Sequence, residues 1–257
     1  MARANSSKRI HLLDELRGFA IICMVFYHAF YTLAEIFQLD IGRTLFFFFK
    51  PAEPYFAGLF IFISGIASML TRSNLKRGAK LFAVALAVNI VTYLMKFVGM
   101  NVFIRFGILN LLSICMLLAA PMKKLINKIP PIIGIILSGG LVLLTFHILD
   151  GYLGIGDFSW TVPESLRELG FLFPIGIVNK GFYSSDYFPL LPWMFVFFAG
   201  MSAGVWAVKG KFPKFMYNQH IRPLSFVGRH SLVIYIAHQP VIYGFCMLVG
   251  WIMELLP

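Results

Sequence analysis

Residues 13–30 read LDELRGFAIICMVFYHAF. From Phe19 onward the stretch has the apolar character of a membrane helix, yet Asp14, Glu15 and Arg17 crowd its entrance and His28 sits deep inside it. An ionisable side chain at membrane depth is expensive, so it points to function before packing. Arg17 and His28 are 11 residues apart, about three helical turns, and share one helix face. Asp14 falls one turn before Arg17, Tyr31 one turn after His28, and Glu35 two turns beyond it. Helical rise sets His28 roughly 16 Å from Arg17, near the bilayer centre. One face thus runs from a cation at one surface, through a mid-membrane imidazole, to a carboxylate at the other. The competing reading is a histidine that only hydrogen-bonds a neighbouring helix as packing glue.

The whole chain supports the membrane reading. Of its 257 residues, 59% are hydrophobic and 13% charged, against about 25% charged in a soluble domain. Apolar runs near the ~20 residues that cross the hydrocarbon occur at about 18–37, 54–71, 81–98, 102–120, 131–149, 187–208 and 230–253. They are continuous rather than alternating, which favours helices over a barrel. The expected fold class is all-α: a polytopic membrane helical bundle of about seven transmembrane helices, forming one integral-membrane domain over residues 1–257. One long loop, 150–186, contains LRELGFLFPIGIV, which is too short to span and suits a re-entrant or surface-lying segment.

Charge gives an orientation. Only Arg43, Lys50, Lys96, Arg105, Arg167 and Lys180 of the 22 basic residues fall on one side; the other sixteen, from Arg3 and Lys8 to Arg229, fall on the other. Asp14 and Glu15 are the only two of 11 acids on that second side. The basic side is expected inside, with the N-terminus cytoplasmic and the C-terminus outside. The same asymmetry accounts for the net charge of +11 without nucleic acid. The basic N-terminus lacks a small-x-small cleavage site, so the first span reads as uncleaved, and the Asn5-Ser6-Ser7 sequon faces the wrong side for glycosylation. Cys23, Cys115 and Cys246 all lie in apolar runs without metal-like spacing, so no metal site is expected. There is no internal repeat of the kind inverted-repeat transporters carry.

A second polar group lies in the last span, GRHSLVIYIAHQPVIYG (228–244). Ser231, Tyr235 and His238 stand at i, i+4 and i+7, on one face. Pro240 follows and frees a carbonyl near Ile236. His28 and His238 lie at similar depth and could face one cavity; His230 is closer to the surface. Asn89, Asn110, Ser113, Ser64 and Ser68 could line a polar interior or bond between helices. Arg105 reads as a snorkelling side chain.

These stretches resemble the heparan-α-glucosaminide N-acetyltransferase catalytic-domain family. RIHLLDELRGFAIICMVFYH carries its Asp-x-x-Arg-Gly signature at Asp14, Arg17 and Gly18, ahead of an apolar span with a polar residue within it. FIFISGIASMLTRSNLKRGAKL, DYFPLLPWMFVFFAGMSAG and LSFVGRHSLVIYIAHQP fit as well. The chain looks like a short bacterial member. Membrane O-acetyltransferases of the acyltransferase-three family are similar at Arg-Gly-x-Ala…His and at Tyr-x-x-His-x-Pro. The resemblance implies an acyltransferase of the bacterial inner membrane. It would take an acetyl group from cytoplasmic acetyl-CoA to a sugar, glycan or amino-sugar acceptor on the other side. His28 would be the central catalytic residue, with His238 beside it. Short relatives often have His after the Phe-Gly-Ile-Leu of the fourth span; Asn110 stands there here and is the third candidate. Acetyl transfer needs a base for the acceptor's proton, and a neutral imidazole supplies one; alternatively the imidazole carries the acetyl group itself. Arg17, with its planar fork of donors, suits CoA phosphates; Asp14, Arg229 and Tyr235 complete the expected donor site. Membrane lipids are the other expected partner, and a homo-oligomer is compatible with the sequence. The rival readings are a proton-coupled transporter with His28, His238 and Glu35 as relay, and a non-catalytic scaffold.

Overall fold

The computed structural model describes residues 9–100 and 102–255; Arg3, Lys8 and the Asn5-Ser6-Ser7 sequon lie outside them. The chain is an all-α membrane bundle. Among the described residues six helical segments are long and apolar enough to cross a membrane: His11–Ile36, Asp40–Leu70, Asn74–Met95, Ile108–Ile126, Leu190–Val208 and Ser231–Ile252. The expected span at 131–149 is a shorter helix, Pro131–Thr145. Its 15 residues reach about 22 Å, short of the ~30 Å hydrocarbon thickness. The second span is longer than expected, because a 3-10 turn at Lys50–Ala52 joins two helices end to end.

The chain divides into two compact units, Met1–Ile63 with Phe212–Pro257, and Ser64–Lys211. In the first, α1 (His11–Tyr31) continues into a π-helical turn, Thr32–Ile36. Then come α2 (Asp40–Phe49), the start of α3 (Glu53–Leu70), and at the far end of the chain α9 (Arg222–Arg229) and α10 (Ser231–Leu255). Helix α1 packs on α9 and α10. The α1–α9 crossing is backbone on backbone. A Cβ on Gly18 would strike the Leu224 carbonyl, and one on Gly228 would strike the Asp14 carbonyl. Small residues permit such close approach where lipid offers no hydrophobic drive to bring helices together. Glu15 ties the start of α9 to α1. Its Oε1 accepts the main-chain N–H groups of His220 and Ile221 at 2.7 and 3.0 Å and the Ser225 hydroxyl at 3.2 Å. A carboxylate there satisfies orphan donors and complements the helix dipole. Tyr27, Tyr31, Phe46, Phe49 and Phe56 form an aromatic cluster between α1, α2 and α3, with ring centroids 5.4–6.1 Å apart.

The second unit pairs α4 (Asn74–Met95) with α5 (Ile108–Ile126) and α6 (Pro131–Thr145) with α8 (Leu190–Val208). Lys123 closes the end of α3: its ammonium donates to the carbonyls of Met69 and Thr71 at 2.7 and 3.1 Å, where helix carbonyls lack partners. The long loop is more structured than the sequence suggests. It holds an antiparallel hairpin, β1 (Tyr152–Ile155) with β2 (Phe158–Thr161), then a short helix α7 (Glu164–Glu168). Residues 166–178 fold as the end of α7 and a single 3-10 turn, Phe173–Ile175, with no continuous helix across them.

Candidate active site

His28 stands on the last turns of α1, and Thr32 opens the π-helical turn that follows. Single π turns are frequent at functional sites. His238 and Gln239 stand on α10, just before Pro240, whose missing N–H leaves the Ile236 carbonyl without its helical donor. The packing of α10 on α1 brings these four residues together.

The imidazoles of His28 and His238 are in contact, with ring centroids 4.9 Å apart and planes inclined at 51°. The Gln239 side-chain amide reaches across from α10: its Nε2 donates to His28 Nδ1 at 3.1 Å. Its Oε1 accepts the hydroxyl of Thr32 at 3.3 Å. His238 Nδ1 donates to the Tyr235 carbonyl one turn earlier in α10. Its other ring nitrogen, Nε2, is buried and has no hydrogen-bond partner among the described residues. A carbonyl only accepts, so in the neutral ring the proton sits on Nδ1 and Nε2 presents a lone pair. Aromatic rings frame the pair: Tyr27 meets His28 edge-on at 5.4 Å, and Tyr235 lies 5.5 Å from His238. The arrangement gives two imidazoles between two membrane-length helices, one with an unspent lone pair, and it can move a proton.

The other expected site residues are placed differently. Asp14 is engaged by two cations: Arg9 Nε donates to it at 2.7 Å, and Arg17 Nη1 lies 3.6 Å away. Tyr235 belongs to the histidine site through its carbonyl and ring. Arg229 is exposed, and its Nε donates to the Ser225 carbonyl of its own helix at 3.2 Å. Asn110 lies in the second unit, where its Oδ1 accepts the Gly107 N–H at 3.1 Å at the start of α5. That helix begins at Ile108 rather than near 102. The preceding residues pair instead with 184–188: Ser185 N–H donates to Phe103, Phe188 N–H to Phe106, and Phe106 bridges Tyr187. Ser68 and Ser113 spend their hydroxyls on carbonyls of their own helices, Gly65 and Asn110, both at 2.7 Å. The Arg105 guanidinium stacks over Phe103 and Phe182 at 5.6 and 5.4 Å, a cation–π pairing. Glu35 is exposed.

Sequence reasoning missed Gln239 and Thr32. Both carried a signal. Thr32 is one turn from His28 on the same face, and Gln239 is an uncharged polar residue wedged between His238 and Pro240.

A polytopic helical membrane protein with an imidazole pair on its first and last spans is the class that fold and site define. The family model described as "Heparan-alpha-glucosaminide N-acetyltransferase, catalytic" matches residues 9–240. The chain belongs to that family and is therefore of the transmembrane acetyltransferase class, for which an acetyl donor and an acceptor are implied. No curated protein and no solved structure matches the chain.

Proposed function

We propose that this chain, working as a single domain, carries an acetyl group from cytoplasmic acetyl-CoA to a hydroxyl or amine of a sugar or amino-sugar acceptor on the outer side. His28 is the residue at which the group changes hands. The observation that carries the reading is the contact between His28 and His238, two imidazoles at membrane depth in a chain of an acetyltransferase family. Attack on a thioester by a hydroxyl or amine needs a base to take the acceptor's proton, and the pair offers an unspent lone pair at His238 Nε2. Arg9 and Arg17 lie together at the cytoplasmic end of α1, both facing Asp14, and a guanidinium fork suits CoA phosphates. The basic asymmetry of the loops supports a cytoplasmic N-terminus.

The test uses the full chain in detergent with acetyl-CoA as donor and glucosamine as acceptor, following both CoA release and acetyl-sugar formation. The wild type turns over. His28→Ala loses at least about 100-fold in rate while keeping the wild-type melting temperature. A His28→Ala protein with the wild-type rate overturns the assignment of His28.

A further inference from the structure

We propose that Gln239 is a positioning residue whose amide selects which ring nitrogen of His28 carries the proton, so that His28 and His238 enter the reaction as hydrogen-bond donor and acceptor. The role in transfer rests on the function proposed above; the proton placement does not.

A neutral imidazole has two tautomers, and each is chosen by what the ring nitrogens meet. At His238 the choice is made by the main chain, because the Tyr235 carbonyl accepts from Nδ1. At His28 it is made by a side chain. Gln239 Nε2 donates to His28 Nδ1, so that nitrogen is the acceptor and the ring proton belongs on Nε2. The Thr32 hydroxyl donates to the other end of the same amide. A half-turn of the amide would bring Oε1 to His28 and move the proton to Nδ1. The Thr32 hydroxyl can accept as well as donate, so it serves both orientations, and the His28 tautomer follows the amide.

In the orientation the structure holds, the two rings are complementary. His238 Nε2 takes the proton from the acceptor O–H or N–H as the acceptor's lone pair attacks the thioester carbon. When the C–S bond breaks, the His238 imidazolium gives that proton to the sulfur, releasing CoA as the thiol and the acetylated acceptor, while His28 Nε2–H donates a hydrogen bond to the thioester oxygen that gains charge as the acceptor attacks. His28 keeps its proton throughout, and both rings end as they began.

The experiment is nitrogen-15 NMR on histidine-labelled full-length protein in nanodiscs, with two-bond proton–nitrogen couplings reporting each tautomer and single histidine replacements assigning the signals. Wild-type His28 carries its proton on Nε2 and His238 on Nδ1. Gln239→Leu mixes the two tautomers at His28, and Gln239→Glu, with only acceptor oxygens of the same reach, places a proton on His28 Nδ1. Both leave His238 unchanged. In acetyl transfer, Gln239→Leu lowers kcat by about 100-fold and alters its pH profile while leaving the KM for acetyl-CoA in place. Thr32→Val, which keeps size and removes the hydroxyl, mixes the His28 tautomers should Gln239→Leu fail to fold. A wild-type His28 with its proton on Nδ1, or a His28 signal unmoved by Gln239→Glu and by whichever of Gln239→Leu and Thr32→Val folds, overturns the inference. A wild-type protein that transfers no acetyl group would instead sink the transferase reading and leave the tautomer result standing.

Discussion

His28 and His238, from opposite ends of the chain, meet with ring centroids 4.9 Å apart on α1 and α10. Neither helix holds the site alone. The two histidines therefore fail separately and do not substitute for each other. His238→Phe keeps an aromatic ring and removes both nitrogens. It should retain the wild-type melting temperature and lose about 100-fold in acetyl transfer, read by CoA release. A wild-type rate in His238→Phe would remove that ring from the chemistry.

The α1–α9 crossing should be intolerant of side chains. Gly18→Leu must push the Leu224 carbonyl away, and overpacking of this kind costs about 1–3 kcal/mol. Thermal unfolding in detergent should show the drop. Gly140, where an added Cβ meets nothing within 4 Å, is the matched control: Gly140→Ala should melt as the wild type does.

Glu15 sits beside the expected donor-binding residues, yet its partners are all on the approach to α9 and within it. Glu15→Ala should behave as the loss of a helix cap, about 1 kcal/mol of stability. A fall in melting temperature with an unchanged KM for acetyl-CoA is the expected pattern. A raised KM with unchanged melting would make Glu15 part of the donor site.

Loop charge predicts sidedness. In a background with Cys23, Cys115 and Cys246 replaced, Asp157→Cys in the exposed turn of the β1–β2 hairpin should react with a membrane-impermeant maleimide on intact cells. Lys211→Cys should react only after permeabilisation. The reverse pattern would invert the orientation.

Much of this was legible in the sequence, for physical reasons that differ by residue. His28 and His238 stood out because ionisable groups are rare and costly in apolar runs. The helices stood out because their apolar runs are long. Asn110 reads as a mid-span polar residue only if the fourth helix starts near 102. Pairing of 103–106 with 185–188 is non-local and has no periodic signature, and it moves the helix start so that Asn110 becomes a cap. Gln239 and Thr32 were hidden because uncharged polar residues in spans usually bond a neighbouring helix. They do so here as well, and the neighbour they reach is His28. Arg229 Nε bonds a carbonyl of its own helix, a choice set by side-chain geometry that spacing does not encode.

In the proposed reaction the acetyl group changes hands at His28. An experimental structure of the full chain in nanodiscs with a non-hydrolysable acetyl-CoA analogue tests it most directly. The reactive carbonyl group is expected within about 3.5 Å of a His28 ring nitrogen, with the CoA phosphates toward Arg17. An analogue bound in full with its carbonyl group away from His28 would contradict it.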